Sequence, residues 1–235
     1  VRQSTTRPLP RPVRHLLAAA LTLGLLCGQA GASERPTLGL ALGSGGANGL
    51  AHIAVLQVLD ELEILPDRIT GTSIGAVIGG LYAAGLSAEE ILDIFDDVAG
   101  SPLDALSGLA GSELDLMDLL QLGLSDGGLF DSGGFLRFLA GHTEARRFDD
   151  LRIPLSVVAT DYWSGESVVI EEGPLFAAIE ASMAVPGLFK PVHRGDQLLI
   201  DGGTSNPLPY DLLMEEMDLV IAVDVSGSRN PDSEP

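Results

Sequence analysis

The pentapeptide Gly71-Thr-Ser-Ile-Gly75 constrains this chain more than any other stretch. In G-x-S-x-G the serine sits on a sharp strand-to-helix turn that pushes its Oγ out of the strand. The residues two before and two after must be tiny, because a Cβ at either would collide across the turn. The flanks fit this reading. Arg68-Ile-Thr70 reads as a short strand, and Ile74 to Ala84 reads as a helix that is apolar all round and therefore buried. The helix start beside Ser73 would present free backbone N–H groups and the positive end of the helix dipole to a developing negative charge. The same pentapeptide also serves as a plain glycine-rich turn, so the rest of the chain has to decide whether Ser73 does chemistry.

Upstream, Thr37-Leu-Gly-Leu-Ala-Leu42 is a continuous apolar run, as expected of a buried parallel strand. It feeds the loop Gly43-Ser-Gly-Gly-Ala-Asn-Gly49, and a helix follows from Leu50 to Leu62 with apolar positions 53, 55, 56, 59 and 62. Strand, glycine loop and helix together make an anion-binding geometry. A dinucleotide site is one reading, since Gly43, Gly45 and Gly49 are spaced G-x-G-x-x-x-G, but no acid ends a second strand at the required place. A phosphate-binding P-loop fails because no Lys follows Gly49. An oxyanion hole facing Ser73, or a tight turn alone, are the remaining readings.

Downstream, Gly85 suits a helix C-cap, and Ser87-Ala-Glu-Glu90 is a capping box opening a helix to about Val98. Residues 100–134 shift to Ser-Pro, repeated Gly and alternating Leu and Asp, and read as short helices and loops. They are either a cover over an acyl-binding site or a connecting segment. A helix spans Phe135 to Gly141. Pro154 to Asp161 is a buried strand turning at Ser164-Gly165 into a hairpin partner, Glu166 to Ile170. Pro174 opens a helix to Ala184. Gln197 to Ile200 is a strand ending in Asp201-Gly-Gly203, and Asp218 to Asp224 is the last strand. Strands alternate with helices, which predicts an α/β fold of three layers, α/β/α, around a mostly parallel central sheet. Ser73 and Asp201 fall at the carboxyl ends of strands, where such sheets place their sites.

The chain of 235 residues suffices for one sizeable core or two small ones, and its 46% hydrophobic content marks it as globular. Residues 1–32 stand apart. Arg2, Arg7, Arg11 and Arg14 precede an apolar run from Leu16 to Cys27, too short to span a bilayer, and Ala30-Gly-Ala32 is an A-x-A cleavage site. This reads as a secretory signal peptide, so the protein is expected to be exported (periplasmic, outer-membrane-associated or secreted). Residues 33–225 form the folded domain and 226–235 a polar tail. Leu26 is too large for a typical lipoprotein signal at Cys27. Removing residues 1–32 takes away four Arg and no acid, leaving 9 basic residues against 33 acids and a net charge of −24. Such a surface argues against nucleic acid and against charge-driven binding to anionic membranes. Without Cys27 the remaining chain has no cysteine, which excludes disulfides, thiolate metal sites and cysteine nucleophiles. No His/Cys cluster has metal-ligand spacing.

A nucleophilic Ser73 needs a proton acceptor. The order Ser, Asp, His of α/β-hydrolases fails after Asp201, since no His follows it. A triad would need Asp161 with His193, or would reach back to His52 or His142. His193 lies in the polar segment Lys190-Pro-Val-His-Arg194, read as a turn, and His52 on the first helix beside the glycine loop. The alternative is a dyad of Ser73 with Asp201. An ordinary Asp, with a pKa of about 3.9, is a poor base, and burial would raise it.

These residues carry a resemblance. The chain is similar to bacterial patatin-like phospholipases in three motifs in order: the glycine loop Gly43–Gly49 with His52-Ile-Ala-Val-Leu56, the elbow Gly71–Gly75, and Asp201-Gly-Gly203. Ala181-Ser-Met-Ala-Val-Pro-Gly-Leu-Phe189 and Asn206-Pro-Leu-Pro209 also resemble family segments, and the match runs from about Pro36 to Val225. The resemblance implies a Ser–Asp dyad hydrolysing lipid acyl esters without metal or cofactor. It puts Ser73 in the nucleophile's place, Asp201 in the base's, and backbone N–H groups of Gly45, Gly46 and Ala47 in the oxyanion hole's. It implies transient contact with a membrane or micelle surface that carries the substrate. Asn48 stands where the family usually has Arg or Lys, a departure that removes charge support from that side chain. Two rivals remain: a Ser73–His193–Asp161 esterase, and a non-catalytic domain that keeps the fold to bind lipid or a partner.

Overall fold

The computed structural model describes residues 35–100 and 132–226. The expectations for residues 1–32, for 101–131 and for most of the tail lie outside them. One compact unit begins at Thr37. Its centre is a seven-stranded sheet: β1 Leu38–Leu42, β2 Arg68–Thr72, β3 Leu155–Asp161, β4 Ser167–Ile170, β5 Val192–Arg194, β6 Gln197–Asp201 and β7 Leu219–Val223. Strands β7, β1, β2 and β3 lie side by side and parallel. Strands β4 and β6 pair antiparallel with β3, and β5 pairs antiparallel with β6.

Strand chemistry sets what covers each face. In β2, Ile69 and Gly71 face the helices, where Ile69 is fully buried. The alternate residues Thr70 and Thr72 face the other way, as a period of two requires. Their hydroxyls donate to Pro209 O and Asn206 O at 2.9 Å each. Among the described residues the helical layer holds α1 Ala51–Glu61, α2 Ile74–Ala83, α3 Ala88–Gly100, α4 Gly133–Ala140 and α5 Leu175–Ser182. Helix α2 is buried along its whole length, which its apolar sequence predicts, and it packs on β2 with α5 beside it. The opposite layer is the segment after β6, with short 3-10 turns at Gly202–Thr204 and Tyr210–Leu212. Leu213 and Met217 of that segment fill the space that a side chain at Gly39 would need. The expected three layers form, around a mixed sheet in which three strand pairs are parallel and three antiparallel.

Two elements differ from the sequence reading. His193 lies in strand β5, not in a turn, because a hairpin turn at Gly195, with φ at 61°, folds Val192–Arg194 back onto β6. Asp201 does end a strand, but that strand runs against its neighbour. Strand β4 occupies one edge of β3 from Val157 to Thr160. On the other edge β2 pairs from Leu155 to Val158, and β6 takes over from Ala159 to Asp161. Thus β2 ends at Thr72 opposite Val158, and β6 arrives from the opposite direction and ends at Asp201 opposite Ala159. The two strand ends meet head to head on one edge of β3.

Candidate active site

That meeting positions Ser73, the residue after β2. Its backbone lies at φ 55°, ψ −122°, one of two non-glycine residues with positive φ among those described. The flanking glycines are required. A Cβ on Gly75 would lie 2.2 Å from Leu42 O, and one on Gly71 would lie 2.7 Å from Ala76 Cα. The turn is held from beneath by Ser182, the last residue of α5 and fully buried. Its Oγ accepts from Ser73 N–H at 2.8 Å and donates to Val158 O at 2.6 Å.

Ser73 Oγ donates to Asp201 Oδ2 at 2.6 Å. The other carboxylate oxygen, Oδ1, accepts from Gly203 N–H at 2.6 Å. The Asp201 backbone is tied at both ends, with its N–H on Ala184 O and its carbonyl accepting from Thr160 Oγ1, each at 2.9 Å. Asp201 is 6% exposed. Burial pushes its carboxyl above the ordinary value of 3.8, while the bonds from Ser73 and Gly203 pull the other way. The result is a carboxylate more basic than a surface aspartate and already in contact with a hydroxyl.

The glycine loop lies against both. Gly49 abuts Ile74, so closely that a Cβ there would lie 2.3 Å from Ile74 Cγ1, and Ser44 Oγ would lie 3.1 Å from a Cβ on Gly203. The three motifs separated in sequence therefore converge. The loop is anchored by Gly43 N–H to Val223 O at 3.1 Å, Ser44 N–H to Pro207 O at 2.8 Å, and His52 Nε2–H to Gly43 O at 2.8 Å. The carbonyl can only accept, which sets the His52 tautomer. Burial lowers the His52 pKa, so the ring is held neutral. Gly46 adopts φ 55°, and among the described residues the N–H groups of Gly45 and Gly46 have no acceptor. The loop turns at Asn48, whose N–H donates to Gly45 O at 3.2 Å and whose side chain is exposed. Ala47 lies between Gly46 and Asn48 in the same turn.

The histidines and Asp161 are placed elsewhere. His193 is exposed on β5. His142 is exposed, its Nδ1–H on Phe138 O at 2.9 Å. Asp161 Oδ1 accepts from Trp163 N–H, Ser164 N–H and Ser164 Oγ, closing its own hairpin, and these bonds hold its carboxyl below the ordinary range. Among the described residues no histidine bonds to Ser73 or Asp201, and no cluster of His, Cys, Asp and Glu could hold a metal ion. Sequence reading missed Ser182 and Thr160 as supports. The signal for Ser182 was present: a serine at the end of an otherwise apolar helix needs a hydrogen-bond partner.

The family model for patatin-like phospholipases matches residues 40–214. An uncharacterized NTE family protein of Mycobacterium tuberculosis is 39% identical over 198 residues, 84% of this chain and 51% of its own length. A second from the same organism is 35% identical over 197 residues, 83% of this chain and 31% of its own. Patatin-like phospholipase domain-containing protein 6 of Mus musculus is 32% identical over 199 residues, 83% of this chain and 14% of its own. This chain thus spans about half the length of the first of these relatives, and less of the others. A solved structure, VipD from Legionella pneumophila, aligns over 75% of this chain and 47% of that one at 18% identity and a TM-score of 0.45. On the family model and the identity to these relatives, the chain belongs to the patatin-like phospholipase family.

Proposed function

We propose that this protein is an exported hydrolase of lipid acyl esters, with Ser73 as nucleophile and Asp201 as its base. The observation that carries the reading is the 2.6 Å bond from Ser73 Oγ to Asp201 Oδ2 at a serine held in a strained elbow. In this reading Oγ attacks the ester carbonyl carbon as Asp201 Oδ2 takes the Oγ proton. The carbonyl π pair moves onto oxygen, and N–H groups of Gly45, Gly46 and Ala47 stabilise that oxyanion. Collapse re-forms the carbonyl and expels the alcohol, which leaves with the proton from Asp201. The acyl group stays on Ser73 until water, giving a proton to Asp201, attacks the acyl carbon; collapse breaks the bond to Ser73 Oγ, which recovers that proton from Asp201, and the acid is released. A general base of this kind contributes about 10²–10⁴ in rate, and each oxyanion donor about 10²–10³. No step calls for a metal or cofactor.

Export is supported by the basic start, the short apolar run and Ala30-Gly-Ala32. Among the described residues no helix is long and apolar enough to cross a membrane. A Ser73–His193–Asp161 triad has less support, since the Asp161 carboxylate is engaged by its own hairpin. A non-catalytic domain has support from Asn48, a neutral exposed side chain on the glycine loop. A fluorophosphonate probe separates the readings that need a reactive serine from the one that does not. The parent should label at Ser73 and hydrolyse a panel of lipid classes, and Ser73→Ala should do neither. Absence of labelling together with absence of ester turnover in the folded parent would favour the binding domain.

A further inference from the structure

The tip of the β3–β4 hairpin carries the chain's single tryptophan, and Trp163 is 78% exposed. Tyr162 beside it is 48% exposed, and the two rings pack edge to face with centroids 4.8 Å apart. Large aromatic side chains are mostly withdrawn from water, so such a pair at a loop tip calls for a partner. The loop beneath them is rigidly built. Asp161 Oδ1 accepts from Trp163 N–H at 3.1 Å and Ser164 N–H at 2.9 Å, Gly165 N–H donates to Asp161 O at 2.8 Å, and Tyr162 N–H donates to Leu198 O at 2.8 Å. The aromatic tip is therefore presented in a set position at little further entropic cost.

Its position follows from register. Asp201 lies opposite Ala159, and Leu199 opposite Asp161. Tyr162, bonded to Leu198, is three residues along β3 from the level of Asp201, roughly 10 Å at the rise of an extended strand. The tip projects from the carboxyl edge of β3, the edge where β1 gives way to the glycine loop and β2 to the elbow. Leu50, at the end of the glycine-loop turn, is 40% exposed at that edge.

We infer that Tyr162 and Trp163 seat the Ser73–Asp201 edge on a lipid surface, and that the surface is neutral or zwitterionic. Trp and Tyr rings favour the headgroup level of a bilayer, with an apolar body and a polar tip. The formal net charge, −20 for the whole chain and −24 without residues 1–32, opposes an anionic surface, which leaves aromatic insertion as the attractive contribution. The inference rests on the proposed lipid hydrolysis for its purpose, but its test does not depend on turnover.

Because Trp163 is the chain's single tryptophan, its fluorescence reports the contact directly. The full chain carrying Ser73→Ala, which leaves the lipid intact, is titrated with phosphatidylcholine vesicles and with vesicles containing phosphatidylglycerol. The emission should shift to the blue and be quenched by brominated phosphatidylcholine. Binding to the anionic vesicles should be weaker at low salt, with the difference narrowing as salt is raised. In the chain with Ser73 intact, Trp163→Ser should lower vesicle hydrolysis roughly tenfold or more, while hydrolysis of a soluble short-chain ester stays unchanged. An unshifted emission, or co-sedimentation of Trp163→Ser with vesicles as tight as the parent's, would overturn the inference. So would a blue shift that follows protein concentration without lipid, which would assign the tip to a second copy. A parent that inserts Trp163 but hydrolyses no ester would refute the hydrolase reading and leave the docking surface standing.

Discussion

A serine at φ 55° sits outside the conformations ordinary side chains prefer, at a cost of order 1–3 kcal/mol. Asp201 adds a second local cost, a carboxylate withdrawn from water. With its carboxyl raised above 3.8, the folded protein binds that proton more tightly than the unfolded chain does. The associated stabilisation is complete below the unfolded pKa and is lost as pH rises through the folded one. Asn at this position keeps the shape. Its Oδ1 still accepts from Gly203, its amide donates to Ser73 Oγ, and no charge is buried. Asp201→Asn should therefore melt no lower than the parent near pH 8 and lose any advantage as pH falls toward about 4. Melting curves across that range check it, and a parent clearly more stable than Asp201→Asn near pH 8 would contradict it. This expected cost to stability was not legible in the sequence, where Asp201 is one of 33 acids and only its two following glycines mark it.

At the scale of elements, the buried α2, the flanking parallel strands, the cap at Gly85 and the capping box at Ser87 and Glu90 were readable, because each depends on neighbours a few residues away. The direction of β6 was not. A period of two is the same read forward or backward, so nothing in Gln197–Asp201 says that it runs against β3 and meets β2 head on. The fold of β5 onto β6 was hidden too, since two of its three residues, His193 and Arg194, are polar and exposed, and the turn at Gly195 brings the strand back onto β6. What joins these elements beneath the site is Ser182, which links α5, the elbow and β3. Ser182→Ala leaves a buried donor and a buried acceptor unmatched, at about 1–3 kcal/mol each before relaxation. The denaturation midpoint should fall, and the Ser73 amide should exchange with solvent faster than in the parent. Unchanged stability and exchange would show that the turn holds without it.

For the whole molecule, the domain that carries the site accounts for most of this chain but for about half of a mycobacterial relative, so its family is established and its reaction is to be measured. The proposed export, read from residues 1–32, predicts a mature N-terminus at Ser33, checked by mass spectrometry of the protein recovered outside the cytoplasm. An intact Val1 in protein from that fraction would count against it. In the proposed mechanism Asp201 alone serves Ser73 as base. The direct test is turnover of a soluble ester by Asp201→Asn, His193→Ala and Asp161→Asn, each first shown to be folded by circular dichroism. Turnover should fall by about 10²–10⁴ in Asp201→Asn and change little in the other two. Near-normal turnover by folded Asp201→Asn, with His193→Ala as the crippled variant, would contradict it.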